Sequence, residues 1–246
     1  MHQFFVEKSQ VGKEYVTITG SDVNHIRNVL RMKIGETIRI SDREGGNYFC
    51  KIAETGENFV QADIVSVDEE GTELPSKIYF FQALPKGDRM ETVIEKAVEL
   101  GVYEIIPVAM KYCVVKLEGK KAAQRVQKWQ AQAETAAKQS KRSIIPKIHE
   151  VVSFKEALKL AENCDIRLVP YENENGMEGT RTVLEQIEPG KSISIMIGPE
   201  GGFAEEEIAK ARETMQSISL GRRILRTDTA GICMMSMLML QLESRI

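Results

Sequence analysis

Two loops near the carboxyl end carry residues whose types and spacing suit the binding of a small ligand. The first is Gly198-Pro199-Glu200-Gly201-Gly202, which follows the apolar segment Ser192–Ile197. Glycines let backbone N–H groups approach a ligand that a side chain would keep away, and proline stiffens a loop by fixing one φ angle. A tight strand-to-helix turn without a ligand has the same composition, so both interpretations stay open at this point.

The residues around this loop indicate which ligand it would take. No Gly-Lys-Ser/Thr follows the glycines, as a nucleotide P-loop requires, and the spacing is not Gly-x-Gly-x-x-Gly. Three acids, Glu205–Glu207, open the next segment and would repel a phosphate from a helix start. The loop therefore favours a ligand whose nearest part is neutral or positively charged, such as a sulfonium cofactor.

The second loop, Ser219–Ala230, places three arginines before an apolar segment: Arg222, Arg223 and Arg226. Thr227 is a natural N-cap for a helix that starts there, and Asp228 suits the first turn because of the helix dipole. Capping accounts for Thr227 and Asp228 but leaves the arginine cluster unexplained.

The chain from residue 76 onward predicts a scaffold for these loops. Its apolar runs predict strands at Ile78–Leu84, Ile105–Ala109, Ile166–Pro170, Ser192–Ile197 and Ser217–Leu220. Its helical patterns fall at Asp88–Leu100, Lys121–Ser140, Ser153–Ala161, Arg181–Ile187, Glu205–Met215 and Asp228–Leu242. Such alternation predicts an α/β domain with a mostly parallel sheet, in which ligands bind beyond the carboxyl ends of the strands.

The first part of the chain predicts a small strand-rich barrel. Strands are expected at Tyr15–Thr19, Thr37–Ser41, Tyr48–Ala53 and Phe59–Val67, with a helix over Asp22–Leu30 and a return to strand at Arg31–Gly35. The acidic stretch Asp68–Ser76 holds glycine and proline and has no apolar period, so it is the expected linker. The predicted domains are therefore residues 1–70 and 76–246.

Composition narrows the class of protein. The chain has 246 residues, 42% of them hydrophobic, as expected for a globular protein. No signal peptide is visible, and the apolar stretch Ala230–Leu240 is shorter than the ~20 residues of a membrane span. The 4 cysteines and 3 histidines are scattered, which argues against a metal site or a disulfide framework. We expect a cytoplasmic protein without a membrane or metal partner.

Charge is unevenly distributed along the chain. The net charge is −3, yet between Lys111 and Lys147 the only acids are Glu118 and Glu134. A local excess of basic residues can attract phosphates despite a negative total. The alternative is a solvated helix face, and charge alone does not decide between them.

The two loops together resemble the cofactor-binding signature of the SPOUT methyltransferases, and more narrowly that of the ribosomal RNA small-subunit methyltransferase E family. The resemblance continues in Leu84–Met90, Lys96 and Glu99–Val102, in Glu134, Gln139, Arg142, Ile145 and Pro146, and in His25–Arg31 with Gly35. Two positions depart from it. Lys111-Tyr112-Cys113 stands where the family often has Arg-Ser, and Asp228 stands where it usually has Glu.

The resemblance implies an N-terminal PUA-like β-barrel and a C-terminal domain with a deep trefoil knot. It implies a homodimer that uses S-adenosylmethionine to methylate N3 of a uridine in small-subunit ribosomal RNA, either naked or in the assembled subunit. The cofactor-binding residues that it implies are Leu168, Val169, Pro170, Ile197, Gly198, Pro199, Glu200, Gly201, Gly202, Leu220, Gly221, Ile224, Leu225, Arg226, Thr229 and Ala230.

Roles in catalysis and RNA binding follow from the chemistry of that reaction. Removing a proton from uracil N3 calls for a base or for a cation that stabilises the resulting negative charge. Arg226, helped by Arg223, is the expected cation, and Glu200 or Asp228 is the candidate base unless it caps a helix or orients the cofactor. Expected RNA contacts are Arg27, Arg31, Lys86, Arg89, Lys121, Arg125, Lys128 and Arg142.

Three other functions remain open from the sequence. A ribose 2′-O methyltransferase of the same superfamily would share both loops. A non-enzymatic RNA-binding factor for ribosome assembly would explain the barrel and the basic segment, but not the two loops together. A small-molecule enzyme would leave the basic segment unexplained.

Overall fold

The protein folds into two compact units in a computed structural model that describes residues 1–174 and 176–245. The first unit comprises Met1–Glu73 with Ala137–Ile145, and the second comprises Leu74–Ala136 with Pro146–Ile246. The division predicted from the sequence differs in one respect, because residues 137–145 pack with the first unit although they lie far beyond the acidic stretch.

The first unit is a curled half-barrel of five strands. They are β1 (Gln3–Phe5), β2 (Tyr15–Thr19), β3 (Thr37–Ser41), β4 (Asn47–Thr55) and β5 (Phe59–Val67), in the order β1-β3-β4-β5-β2. Only β1 pairs in parallel, with β3. Alternate residues such as Val16, Ile18, Ile38 and Ile40 point into a common apolar core, and this period of two is what the pleat of a strand requires.

Two local predictions for this unit need correction. The expected helix begins as α1 (Ser21–Asn24) and continues as a π-helix over His25–Val29. The segment Arg31–Gly35 is a turn and not a strand, because Arg31 (φ 54°) and Gly35 (φ 90°) both adopt left-handed backbone conformations. Strand β1 was not predicted, since three residues carry too little pattern.

The second unit contains the predicted parallel sheet. Its strands are β6 (Ile78–Ala83), β7 (Glu104–Ala109), β8 (Lys147–Ile148), β9 (Val152–Ser153), β10 (Ile166–Pro170), β11 (Ile193–Ile197) and β12 (Gln216–Ile218). The order is β12-β10-β11-β6-β7-β8, with β9 also beside β7, and every pair is parallel. All five residues of the central strand β11 are buried, as expected of a parallel sheet covered on both sides.

Six helices accompany this sheet. They are α2 (Arg89–Glu99), α3 (Gly119–Ser140), α4 (Phe154–Ala161), α5 (Glu178–Glu185), α6 (Glu205–Thr214) and α7 (Thr227–Glu243). Gly101, at φ 91°, follows the end of α2 as predicted, and Ser153 caps α4 through the amide of Glu156. Within residues 1–174 and 176–245, no helix combines the length and hydropathy that a membrane span requires.

Candidate active site

A cavity of about 260 Å³ lies where the loops after β10, β11 and β12 meet. Because these strands are parallel neighbours, their carboxyl ends share one edge of the sheet, where ligands bind in folds of this type. The residues lining the cavity are Pro170, Tyr171, Glu172, Ile197, Gly198, Pro199, Glu200, Gly202, Phe203, Leu220, Gly221, Arg223, Ile224, Leu225, Arg226, Thr227 and Ala230. Both predicted loops therefore contribute to a single cavity.

Thr227 joins the two loops by hydrogen bonds. Its hydroxyl donates to the carbonyl oxygen of Gly198 (2.6 Å) and accepts from Nε2 of Gln82 at the end of β6 (2.9 Å). The prediction that Thr227 caps α7 is wrong, because Arg226 occupies the N-cap position and Thr227 is already helical. Since Thr227 is buried, losing its hydroxyl would deprive the Gly198 carbonyl of this donor and Gln82 of one of its two acceptors.

At two positions of the first loop, neighbouring side chains come so close to the backbone that only glycine fits. A Cβ on Gly198 would come within 2.9 Å of the Phe203 ring, and a Cβ on Gly202 would come within 2.9 Å of Oε1 of Glu172. Gly202 also has a φ of 74°, in the region that side chains disfavour. The wall of the cavity is therefore backbone here, as the adjacent glycines predict.

Glu200 connects the glycine loop to the loop after β6. Its Oε1 accepts hydrogen bonds from the backbone N of Lys86 (2.9 Å) and from Nη1 of Arg89 (2.7 Å). Partial burial opposes ionisation of this carboxyl, but the hydrogen bonds from Lys86 and Arg89 keep the pKa of Glu200 below its ordinary value of 4.5. A carboxylate held in this way is a weak proton acceptor. The contacts of Glu200 therefore favour a role in orienting the loop after β6 and not a role as catalytic base.

The lowered pKa of Glu200 predicts a pH effect on stability. A carboxyl whose pKa is lower in the folded chain stabilises the fold above its unfolded pKa, and that contribution is lost as pH falls through the folded value. We expect Glu200→Gln to reduce the pH dependence of the melting temperature below about pH 4.5. Thermal unfolding from pH 6 to pH 3 measures this, with Glu205→Gln, an exposed glutamate of α6, as the control. Identical pH profiles for the wild type and Glu200→Gln would show that the contact contributes nothing.

The arginines of the second loop differ in position. Arg223 and Arg226 line the cavity and are exposed at its rim, whereas Arg222 is exposed but does not line it. Ile224 between them has 89% of its surface exposed. Asp228 does not line the cavity, and its Oδ1 is buried without a hydrogen-bond partner in the described chain.

Most of the residues predicted to bind the cofactor lie on the cavity. The exceptions are Leu168, Val169, Gly201 and Thr229, of which the first two are buried within β10. The lining residues that sequence reasoning missed are Tyr171, Glu172, Phe203 and Thr227. Tyr171 and Glu172 directly follow the predicted strand end at Pro170, so extending the prediction past that strand would have found them.

Seven of the eight predicted RNA contacts fall into three groups. Arg27, Arg31 and Lys121 are exposed, and Lys86 and Arg89 surround Glu200. Arg125 and Lys128 of α3 both pair with Glu91 of α2, at 3.0 Å each, while remaining partly exposed. For these seven residues, RNA contact stays a prediction.

Arg142 requires a correction. It is 2% exposed and its guanidinium pairs with Glu73 within the first unit, where Glu73 also accepts the backbone N–H of Ser143 at 2.7 Å. A buried guanidinium committed to a carboxylate does not reach a phosphate. Its role in this structure is to hold the segment 137–145 in the first unit.

Comparison with known proteins assigns a class to this architecture. Residues 72–239, which contain both loops, match the family model of the RNA methyltransferase domain, and residues 18–65 match the model of the RNA methyltransferase PUA domain. The second unit thus has the fold of an RNA methyltransferase domain, and the half-barrel has that of the PUA domain that accompanies it.

Individual relatives narrow the class further. The ribosomal RNA small subunit methyltransferase E of Bacillus subtilis (strain 168) is 35% identical, over 99% of this chain and 98% of that protein. The protein of the same name from Mesomycoplasma hyopneumoniae is 32% identical, over 96% and 98%. The crystal structure of the Neisseria gonorrhoeae enzyme bound to S-adenosyl methionine superposes with a TM-score of 0.82 at 32% identity, over 96% of this chain and 95% of that one. The chain belongs to the ribosomal RNA small subunit methyltransferase E family.

Proposed function

We propose that the protein transfers a methyl group from S-adenosylmethionine to N3 of a uridine in small-subunit ribosomal RNA, in the cytoplasm. The observation that carries this proposal is the single cavity that both loops form, with glycine backbone on one wall and Arg223 and Arg226 at the rim. The Neisseria relative, which has the same fold, was solved with S-adenosyl methionine bound.

The residues of the cavity fit that cofactor. Ile197, Leu220 and Leu225 supply apolar walls, and Gly198 and Gly202 contribute lining without side chains of their own. Glu172 and Glu200 place carboxylates on the lining, and these suit the positive charge of a sulfonium. When bound, S-adenosylmethionine supplies an electrophilic methyl group, so the chain has to orient the acceptor and manage its charge.

The acceptor atom determines what the arginines do. Uracil N3 carries a proton, and as it leaves, negative charge spreads onto O2 and O4. Arg226 provides a fixed positive charge at the cavity, with Arg223 beside it, and such a cation stabilises this developing charge. The guanidinium is also always charged and donates hydrogen bonds in a planar fork.

The two candidate bases differ in position and in partners, because Glu200 lines the cavity and Asp228 does not. The Oδ1 of Asp228 has no partner in the described part of the chain, whereas Oε1 of Glu200 is committed to Lys86 and Arg89. We therefore assign Glu200 to orienting the loop after β6, and Asp228 stays a candidate base through its unpartnered Oδ1.

The exposed basic residues of α3 form the proposed RNA-binding surface, and the exposed Arg27 and Arg31 of the half-barrel are further proposed RNA contacts. Phosphate contacts release counterions, so the logarithm of the binding constant should fall with the logarithm of salt concentration. We expect Lys121→Ala to make this slope shallower by about 0.7–0.9, the loss of one phosphate contact. Filter binding of small-subunit ribosomal RNA at several salt concentrations measures the slope, and Lys210→Ala on α6 is the control. An unchanged slope for Lys121→Ala would remove Lys121 from this surface.

The dimer and the knot complete the proposal. Leu240 of α7 is 69% exposed, and Met177 near the start of α5 is 42% exposed. Such exposed apolar side chains suit contact with a second copy of the chain. We propose a homodimer in which each second unit is knotted, as the family resemblance implies.

Mass spectrometry of ribosomal RNA nucleosides tests the proposed reaction. Small-subunit RNA from cells that lack the protein should lose one 3-methyluridine, and adding back the wild-type gene should restore it. Loss of a 2′-O-methylnucleoside would instead support the ribose methyltransferase. If no methylated nucleoside changed, a non-enzymatic role in ribosome assembly would explain the protein better than methyl transfer.

A further inference from the structure

An aromatic side chain outside the cavity is fixed against the glycine loop. Tyr112, in the loop after β7, has 48% of its surface exposed. Its Cβ lies 3.0 Å from the position that a Cβ would take on Gly201. Gly201 lies between Glu200 and Gly202, both of which line the cavity. An exposed aromatic side chain therefore lies next to Gly201, in the loop that forms the cavity wall.

A buried carboxylate holds the Tyr112 loop in this position. Glu207 of α6 is 7% exposed, and its two oxygens accept the backbone N–H groups of Lys111 (2.9 Å) and Ala204 (3.0 Å). Ala204 belongs to the end of the glycine loop and Lys111 directly precedes Tyr112. Burying a carboxylate is costly unless its hydrogen bonds are made, so this double contact fixes one loop to the other.

The surroundings of the ring leave its exposed part available. Lys111 Nζ pairs with Glu206 at 3.0 Å and lies 6.0 Å from the ring centroid, at the limit of a cation–π contact. By comparison, the cavity-lining ring of Tyr171 is covered by the guanidinium of Arg212 at 5.0 Å, and Phe203 is buried. Of these three rings, Tyr112 is the one open to a second planar group.

We propose that Tyr112 stacks on the RNA base that is methylated or on its immediate neighbour, and that Glu207 is the positioning residue for this contact. The proposal rests on the proposed function. A base that reacts at N3 has to leave its pairing partner, and an unstacked base is stabilised in proteins by stacking on an aromatic side chain. Tyr112 is thus a specificity-determining contact for the RNA and not for the cofactor.

Methylation kinetics on small ribosomal subunits from cells that lack the protein test the stacking role. Tyr112→Ala should lower kcat/KM for the subunit by about 5- to 150-fold, the range that stacking of one base on an aromatic side chain gives. Tyr112→Phe should stay within a few-fold of wild type because it keeps the ring. Val114→Ala removes an exposed apolar side chain of the same loop without a ring and should behave as wild type.

The dissociation constant of S-adenosylmethionine, measured by calorimetry on the same variants, separates RNA contact from cofactor binding. It should be unchanged in Tyr112→Ala. Glu207→Gln offers one acceptor for two amides, so it should raise the KM for the subunit with little change in kcat or in cofactor affinity. Unchanged kcat/KM in Tyr112→Ala, or an equal loss of cofactor affinity, would overturn the stacking role. A wild-type protein that binds the cofactor but methylates no subunit would contradict the proposed function itself.

Discussion

Replacing Arg226 with alanine is expected to lower the single-turnover rate of methylation by about 10²- to 10³-fold, the usual effect of removing one group that stabilises transition-state charge. The physical reason is that Arg226 lines the cavity and is exposed at its rim, where charge develops on the uracil as its N3 proton leaves. Rapid-quench measurement with saturating S-adenosylmethionine isolates the chemical step from product release.

Two further variants make this result specific. Arg222→Ala removes an exposed arginine of the same loop that does not line the cavity, and its rate should stay near that of wild type. Arg226→Lys keeps the charge but loses the planar fork, so its rate should fall between those of Arg226→Ala and wild type. Wild-type turnover in Arg226→Ala would contradict the assignment of the cation.

Replacing Thr227 with valine is expected to weaken cofactor binding and to lower the free energy of unfolding by about 1–3 kcal/mol. Valine has nearly the same shape but no hydroxyl, so the carbonyl of Gly198 loses this donor and Nε2 of Gln82 keeps only its bond to the carbonyl of Ala83. Because this hydroxyl holds the two cavity-forming loops together, the dissociation constant of S-adenosylmethionine should rise about 10-fold or more, the equivalent of 1.4 kcal/mol.

Thr182→Val is the matched control for this substitution. Thr182 lies on α5 with its hydroxyl bonded to the backbone oxygen of Glu178 within the same helix, at an exposed position. We expect little change in either quantity, since exposed substitutions usually shift stability by less than about 0.5 kcal/mol. If Thr227→Val bound the cofactor as tightly as wild type, the junction between the loops would not matter for binding.

The parallel sheet could be predicted from the sequence because buried strands have a simple pattern. Segments such as Ile78–Ala83 and Ile193–Ile197 are apolar runs bounded by turn residues, and both form strands in the structure. Gly101 and Ser153 gave two helix boundaries through local backbone chemistry alone. The glycines of the first loop also predicted, from the sequence alone, a ligand site lined by backbone.

Long-range partners account for the failed predictions at Thr227 and Arg142. Thr227 has the residue type of a helix cap, and only the folded chain shows that Gly198 and Gln82 meet its hydroxyl. Arg142 stands in a basic segment, but its burial against Glu73 depends on contacts 69 residues away. Sequence composition gives the charge of a side chain and not its environment, so pairing and burial had to come from the structure.

The catalytic assignments were limited for the same reason. Glu200 and Asp228 were equivalent as candidate bases in the sequence, since both are acids beside a glycine or arginine loop. The structure distinguishes them by what their oxygens contact, with Glu200 bonded to Lys86 and Arg89 and Oδ1 of Asp228 unpartnered in the chain as described. Glu207 gave no functional signal in the sequence beyond its charge, because its two amide partners lie in different loops.

Crystals of the protein soaked with S-adenosylmethionine test the central claim most directly. We expect electron density for the cofactor between the glycine loop, 198–202, and the loop at 220–226, in contact with the backbone of both. Density for the cofactor at another place on the protein, or an empty cavity at a saturating concentration, would contradict the claim that these two loops form one binding site.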